Sequence, residues 1–217
     1  MPKKYKTQRF TDRDVEIVTW IAEQSLVRFD TLQDLFAVRK YPVDVSVLRS
    51  ICERWVRMGL IKKERLLGNA PSILWATGSA MKLAGLSADG SSRSSTPSFS
   101  TIHHSCAVSA VRVEYEKFPT QWICEKRLRN KYSNEHLADA LVIHAGKRIL
   151  VEIDRTQKES RRLTQIMSQN ARTPGVSAVD YWTTDALYPV IESHIKRLDA
   201  DISSKVRVFL LPKAVNL

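Results

Sequence analysis

What this 217-residue chain lacks narrows it first. Its three cysteines, Cys52, Cys106 and Cys124, are odd in number, scattered and without a C-x-x-C pair. They read as reduced, buried thiols of a cytoplasmic protein, not as a disulfide framework or a structural zinc site. No apolar run approaches the roughly 18 residues of a membrane span, and no signal-peptide core opens the chain, so neither secretion nor membrane spanning is expected. There is no P-loop and no G-x-G-x-x-G, which argues against a nucleotide cofactor or a nucleotide-driven motor. No internal repeat is present. Acidic residues are the minority: 23 Asp and Glu stand against 34 Lys and Arg, for a net charge of +11. The excess is shared, +6 over residues 1–98 and +5 over residues 99–217. Both halves therefore suit a polyanion, with nucleic acid the first candidate and a generally basic, solvated surface the plain alternative.

A short basic arm, MPKKYKTQR, precedes a helix expected over residues 10–24, with Thr11 as cap, Asp14 in the first turn, and Phe10 and Val15 at the spacing of a hydrophobic staple. A second helix is expected over 31–37, with Asp30 as N-cap and Gln33 as the reciprocal member of a capping box. A third follows Pro42, over 44–58. Val45, Leu48, Cys52 and Trp55 recur at spacings of three and four and mark its core face. Ser46, Arg49, Ser50, Glu53, Arg54 and Arg57 fall on the other. Gly59 ends it as a C′ residue. Residues 60–66 and 72–76 read as two strands about a turn at 68–71, and 77–86 as a further helix. Three helices and then a hairpin, with Gly-Leu-Ile-Lys-Lys at the junction, resemble winged helix-turn-helix DNA-binding domains. The resemblance implies double-stranded DNA as partner. Ser46, Arg49 and Ser50 would lie nearest base edges, with Arg54 and Arg57 on the same helix, and the wing residues Lys62, Lys63 and Arg65 near phosphate. A winged helix used for protein contacts is the alternative.

The Ser-rich stretch 87–98 reads as a linker between a domain over 1–86 and another over 99–217. The second domain is expected to run α-β-β-β-α-β-α-β. Its elements are a helix over 100–117, a strand over 122–128, a polar loop over 129–135, an acidic hairpin, a helix over 157–171, a strand over 176–182, a helix capped by Asp185 through about Leu198, and a strand over 206–211. The hairpin is its centre. Apolar runs at Ala138–His144 and Arg148–Ile153 flank Gly146–Lys147, and Gly at the first central position suits a two-residue type II′ turn. That turn pairs Ala145 with Arg148, Asp139 with Asp154 and Leu141 with Glu152. Asp139, Glu152 and Asp154 would then share one face, whereas a three-residue turn would move Asp139 to the other. Clustered carboxylates repel unless a cation or proton neutralises them, and hard oxygen donors suit Mg²⁺ or Mn²⁺. The plain alternative pairs them with Arg155 and Lys158 at a strand end. Arg161 and Arg162 follow directly and suit a DNA backbone or a solvated helix face. Glu114 and Glu125 are further carboxylates, each expected to be an ordinary exposed residue. His103 and His104 read as neutral packing at a helix start. Tyr115, Tyr132 and Tyr181 are candidate nucleophiles, with Tyr132 in the polar loop the best placed.

A helix, a three-strand meander with an acidic hairpin, then alternating α and β resembles the PD-(D/E)xK nuclease-like core. Its signature is an Asp opening the second strand and an acidic-x-Lys on the third; here these are Ala138-Asp139 and Glu152-Ile153-Asp154. With the winged helix in front, the chain from about Phe10 to Leu211 is similar to the replication-relaxation family, which includes MobC-type plasmid mobilisation relaxases. A His near the start of the second domain (His103 or His104), the Asp139-Ala140 strand and the Glu152-Ile153-Asp154-Arg155 strand end carry the likeness. It implies an α+β chain in which a winged helix-turn-helix precedes an α/β nuclease-like domain with a mixed central sheet. It also implies a catalytic set of Asp139, Glu152, Asp154 and Lys158, the first three holding Mg²⁺ or Mn²⁺, that nicks DNA in the mobilisation or replication of a plasmid, phage or integrative element. Two departures qualify this. Ala precedes Asp139 where the nuclease pattern has Pro, and Asp154 stands where an active nuclease has Lys. Either Asp154 is a further ligand and Lys158, Arg155 or Lys126 supplies the positive charge, or the domain has lost its chemistry. In the second case the chain is a regulator of transcription or replication. The His-x-His metal cluster of the common tyrosine relaxases is missing. A homodimer would call for a repeated DNA site.

Overall fold

The computed structural model describes residues 10–41, 43–66, 68–86, 97–129 and 137–215. The basic arm, most of the Ser-rich stretch and Tyr132 lie outside the described residues. The chain divides into two compact units, residues 1–97 and residues 98–217, and is a mixed α+β protein.

The first unit opens with α1 (Asp12–Gln24), which starts at a complete capping box. The Thr11 hydroxyl accepts from the Asp14 N–H at 3.3 Å, and the Asp14 carboxylate accepts from the Thr11 N–H at 2.9 Å. Next come β1 (Leu26–Arg28), α2 (Phe29–Val38), α3 (Val45–Arg57), β2 (Ile61–Glu64), β3 (Ile73–Ala76) and α4 (Gly78–Leu83). The three strands form an antiparallel sheet in the order β1-β3-β2. β1 is too short to show an alternation and all three of its residues are buried, so no sequence period marks it. Asp30 is not the cap of α2. The helix begins two residues earlier than expected, with Arg28 at the N-cap, and the Asp30 carboxylate is held instead by the Arg28 guanidinium at 2.6 and 3.0 Å. On α3 the core face is Leu48, Ile51, Cys52 and Trp55, whereas Val45, expected inside, is 36 % exposed. α3 ends in a Schellman motif: Gly59 takes φ +68°, its N–H donates to the Val56 carbonyl, and the Leu60 N–H donates to the Trp55 carbonyl.

Asp14 ties this unit together. Its side chain is fully buried, and one oxygen accepts from Trp55 Nε1 at 3.0 Å and from Arg54 Nη2 at 2.5 Å. The helix cap of α1 is thereby fastened to α3, 40 residues away.

The second unit runs α5 (Phe99–Glu116), β4 (Thr120–Cys124), α6 (Glu125–Arg129), β5 (Ala140–His144), β6 (Lys147–Asp154), α7 (Ser160–Ala171), β7 (Val176–Thr183), α8 (Tyr188–Ile195), α9 (Ala200–Ser203), β8 (Val206–Leu210) and a 3₁₀ turn at Lys213–Val215. One five-stranded sheet has the order β4-β5-β6-β7-β8; its first two pairings are antiparallel and its last two parallel. Leu163, Ile166 and Met167 of α7 and Ile191 of α8 pack with Val179 and Tyr181 of β7 to form the core on one face. Three expectations are corrected. Residues 125–128 are helical rather than strand. α7 begins at Ser160, so Lys158 lies in the loop before it. α8 begins at Tyr188 with Leu187, not Asp185, at its N-cap, and Pro189 in its first turn. Among the described residues no helix is long and apolar enough to cross a membrane.

The hairpin turn differs from expectation but keeps the facing of every residue within the ladder. Its two central residues are Ala145 (φ +48°) and Gly146 (φ +76°), both left-handed as a type I′ turn requires, and His144 pairs with Lys147. Every pairing therefore moves by two residues and none changes face. The ladder ends at Ala140 opposite Val151, and one further step sets Asp139 level with Glu152 rather than Asp154.

Asp14 generates the first test. Burial pushes its carboxyl up, but the Thr11 bonds, Arg54 and Trp55 outweigh burial and the net direction is down from 3.8. A depressed folded value contributes stability that is present above the unfolded value and is lost as pH falls through the folded one. Replacing Asp14 with Ala is expected to cost about 3 kcal/mol in chemical denaturation. Asp14→Asn is expected to flatten the acid limb of the pH–stability curve below 3.8.

Candidate functional site

In the first unit the outward face of α3 presents Ser46, Arg49, Ser50 and Arg57, all exposed, with the Ser50 hydroxyl bonded back to the Ser46 carbonyl at 3.1 Å. Arg54 does not belong to this face. Its guanidinium turns inward to Asp14, and only 20 % of its side chain is exposed. On β2 and just beyond, Lys62 and Arg65 are exposed. Lys63 is half-buried, bonded to Glu53 at 2.7 Å and set 5.9 Å from the Phe29 ring centroid. That bond and the Lys63 charge hold the Glu53 carboxyl below its ordinary range. A cleft of about 600 Å³ between the start of α2, α3 and the β2–β3 hairpin is lined by Arg49, Lys63 and Arg65. Val45 lines the same cleft, and Val47, 46 % exposed, stands at the other edge of the outward face of α3. Residue-type reasoning passed over Val47; its position directly after Ser46 on the polar face was the available signal.

In the second unit the three hairpin carboxylates lie at one end of the sheet, each bound to a donor of its own. Glu152, buried, accepts from Asn170 Nδ2 of α7 at 2.7 Å. Asp154, buried, accepts from the Lys158 ammonium, and its carbonyl accepts from the Thr183 hydroxyl at 2.7 Å. Asp139 stands just outside β5, where the alternation of the strand no longer governs its direction. One of its oxygens accepts from the Ile153 N–H at 2.8 Å, and the other lies 2.8 Å from His104 Nε2 of α5. Glu152 thus turns to α7, Asp154 to the loop before it, and Asp139 to α5.

Asp154 and Lys158 also line a cleft of about 470 Å³ with His194 and Arg197, and Arg161 and Arg162 stand exposed on the first turn of α7. Glu114 is bonded to Lys117, and Glu125 to Arg129. Neither described tyrosine is poised as a nucleophile. The Tyr115 hydroxyl donates to Asp180 at 2.5 Å, and Tyr181 is fully buried, with burial and then the Glu152, Asp154 and Asp139 charges pushing its hydroxyl up. A phenol kept protonated is a poor nucleophile.

No protein-family model, curated protein or solved structure matches this chain. The residues themselves therefore carry the functional reading. A divalent cation needs oxygen donors converging at about 2.0–2.6 Å. Among the described residues no three Asp, Glu, His or Cys side chains are grouped in that way. As arranged, with Asn170, Lys158 and His104 each engaging one carboxylate, the set does not fit Mg²⁺ or Mn²⁺.

His104 is the site residue that sequence reasoning undervalued. It was expected as neutral packing, yet burial, which lowers its pKa, is outweighed by the Asp139 bond and charge and by Asp154 and Glu125, so the net direction is up from 6.5. A raised histidine contributes stability that is fully present below the unfolded value and is lost as pH rises through the folded one. By NMR, His104 is expected to titrate with a midpoint above 6.5, and Asp139→Asn to move that midpoint down.

Proposed function

We propose that this chain is a double-stranded DNA-binding protein, in which the first unit is a winged helix-turn-helix that reads a duplex site through α3 and the second unit is a nuclease-like domain acting without chemistry. The observation that carries the reading is the cationic face formed by Arg49 and Arg57 on α3 and Lys62 and Arg65 beside it, exposed on a unit whose order is helix, strand, helix, helix, hairpin. Arg49 forms a bidentate donor fork for guanine, Ser46 and Ser50 bond either partner of a pair, and the Val47 side chain suits a thymine methyl. Lys62 and Arg65 lie along phosphate and fix register. Arg54 has no part in the contact, since Asp14 holds it. The second unit adds positive charge at Arg161 and Arg162. Its hairpin carboxylates act as internal counter-charges. This makes the chain a regulator of transcription or replication, and its setting in a mobile element rests on the resemblance to the replication-relaxation family.

A second reading, a metal-dependent nickase, is favoured by one observation. The cleft beside Asp154 and Lys158 lies at the carboxyl ends of the parallel strands β6 and β7, where α/β proteins usually place their ligands. It requires Asp139, Glu152 and Asp154 to leave their present partners.

Arg49→Ala is expected to weaken duplex binding about 5- to 100-fold and to relax sequence preference. Lys62→Ala is expected to lower the salt slope of binding by about one, with preference retained. Titration of labelled duplex at several salt concentrations reads both. Unchanged binding by Arg49→Ala would remove α3 as the reader.

A further inference from the structure

We propose that the second unit carries a separate pocket for one unpaired base of a nucleic-acid strand, between the end of α5 and strands β7 and β8. The cavity there, about 310 Å³, is walled by Tyr115, Phe118, Trp182 and Phe209, with Arg207 and His144 among its polar positions beside Thr120 and the carboxylates of Glu114 and Asp180, which are bonded to Lys117 and Arg207. Trp182 and Phe209 are stacked, centroids 5.0 Å apart and planes 24° from parallel, and Tyr115 meets Trp182 edge-on at 5.9 Å.

The walls are held in place before any ligand arrives. Asp180, whose side chain is 3 % exposed, accepts from the Tyr115 hydroxyl at 2.5 Å and from Arg207 Nε and Nη2 at 2.7 and 2.9 Å. Trp182 Nε1 donates to the Tyr115 oxygen at 3.3 Å, and the Arg207 guanidinium lies 5.8 Å from the Phe209 ring centroid. Rings fixed in this way lose little freedom on binding. The rim remains in water: Phe118 is 63 % exposed and the Arg207 side chain 50 %.

Three features choose the occupant. The volume is at the lower end of the range for small-molecule sites, so it takes a single ring system. Aromatic walls stack on the π-face of any base without regard to sequence. Asp180 neutralises the Arg207 guanidinium, so the draw on a polyanionic strand comes from the +5 charge of residues 99–217 as a whole. A base inside a duplex is already stacked and paired, so the ligand is an unpaired one. The pocket is distinct from the carboxylate end: His104 and Tyr115 lie on the same helix, about 16 Å apart along its axis. It does not depend on α3 as a reader of duplex DNA.

The test is fluorescence anisotropy of the full chain with a labelled oligothymidylate of about 15 nucleotides. An abasic strand of equal length and a duplex are measured beside it. Oligothymidylate is expected to bind at least about 5-fold tighter than the abasic strand. Phe209→Ala and, separately, Phe118→Ala, which removes an exposed side chain, are each expected to weaken that binding about 5- to 100-fold while duplex and abasic affinities stay unchanged. Equal binding of the two single strands, no binding of oligothymidylate, or unchanged binding in both variants overturns the proposal. So does displacement of the strand by equimolar free thymidine, which would make this a nucleoside site. Arg49→Ala, run in the same series, separates failure of this pocket from failure of the duplex reading.

Discussion

A carboxylate withdrawn from water needs a donor, and that requirement organises both units. Asp14 is met by Thr11, Arg54 and Trp55; Glu116 by Arg112; Asp180 by Tyr115 and Arg207; Glu152 by Asn170; Asp154 by Lys158; and Asp139 by His104 and the Ile153 N–H. An unpaired buried charge costs several kcal/mol, so losing one partner is far worse than never having buried the pair. Most of these ties also join elements distant in sequence. Asp14 fastens α1 to α3, Asp139 fastens the hairpin to α5, and Asp180 fastens β7 to both α5 and β8. The charge pairs therefore fix how the layers register, while apolar burial drives them together.

The same requirement decides which charges remain for a partner. Arg54 is spent on Asp14, which leaves Arg49 and Arg57 as the guanidiniums of α3 that reach solvent as exposed residues. At the hairpin end, Asp154 is answered by the Lys158 ammonium four residues on. That ammonium balances charge within the fold. A scissile phosphate beside these carboxylates would meet a site already neutralised by its own side chains.

Local signals were legible in the residues and distant ones were not. Thr11 and Asp14 announced the start of α1, Gly59 announced the end of α3, and the hairpin was visible from two apolar runs about a glycine. Its turn was misplaced by one residue because Ala145 takes a left-handed φ that alanine seldom adopts; the two-residue loop length was kept, so facing survived within the ladder, whereas Asp139, just outside it, turns to α5 and not to the side of Glu152. β1 was missed because three uniformly buried residues have no period. The helix at 125–129 was missed because it follows a genuine strand without a breaker. No spacing rule links Asp14 to Arg54, Asp139 to His104 or Tyr115 to Asp180, which lie 40, 35 and 65 residues apart. That is why Arg54 was placed at the DNA, His104 was taken as inert, and the aromatic pocket was not foreseen.

The claim that the hairpin carboxylates are internal counter-charges rather than ion ligands is tested most directly on supercoiled plasmid. The chain and its Glu152→Ala variant are incubated with plasmid and Mg²⁺ or Mn²⁺ and run on a gel that shows both nicking and retardation. Retarded plasmid that stays supercoiled with either protein is the expected result. Open circles from the wild-type chain alone would contradict it and make the end of the hairpin a metal-dependent active site.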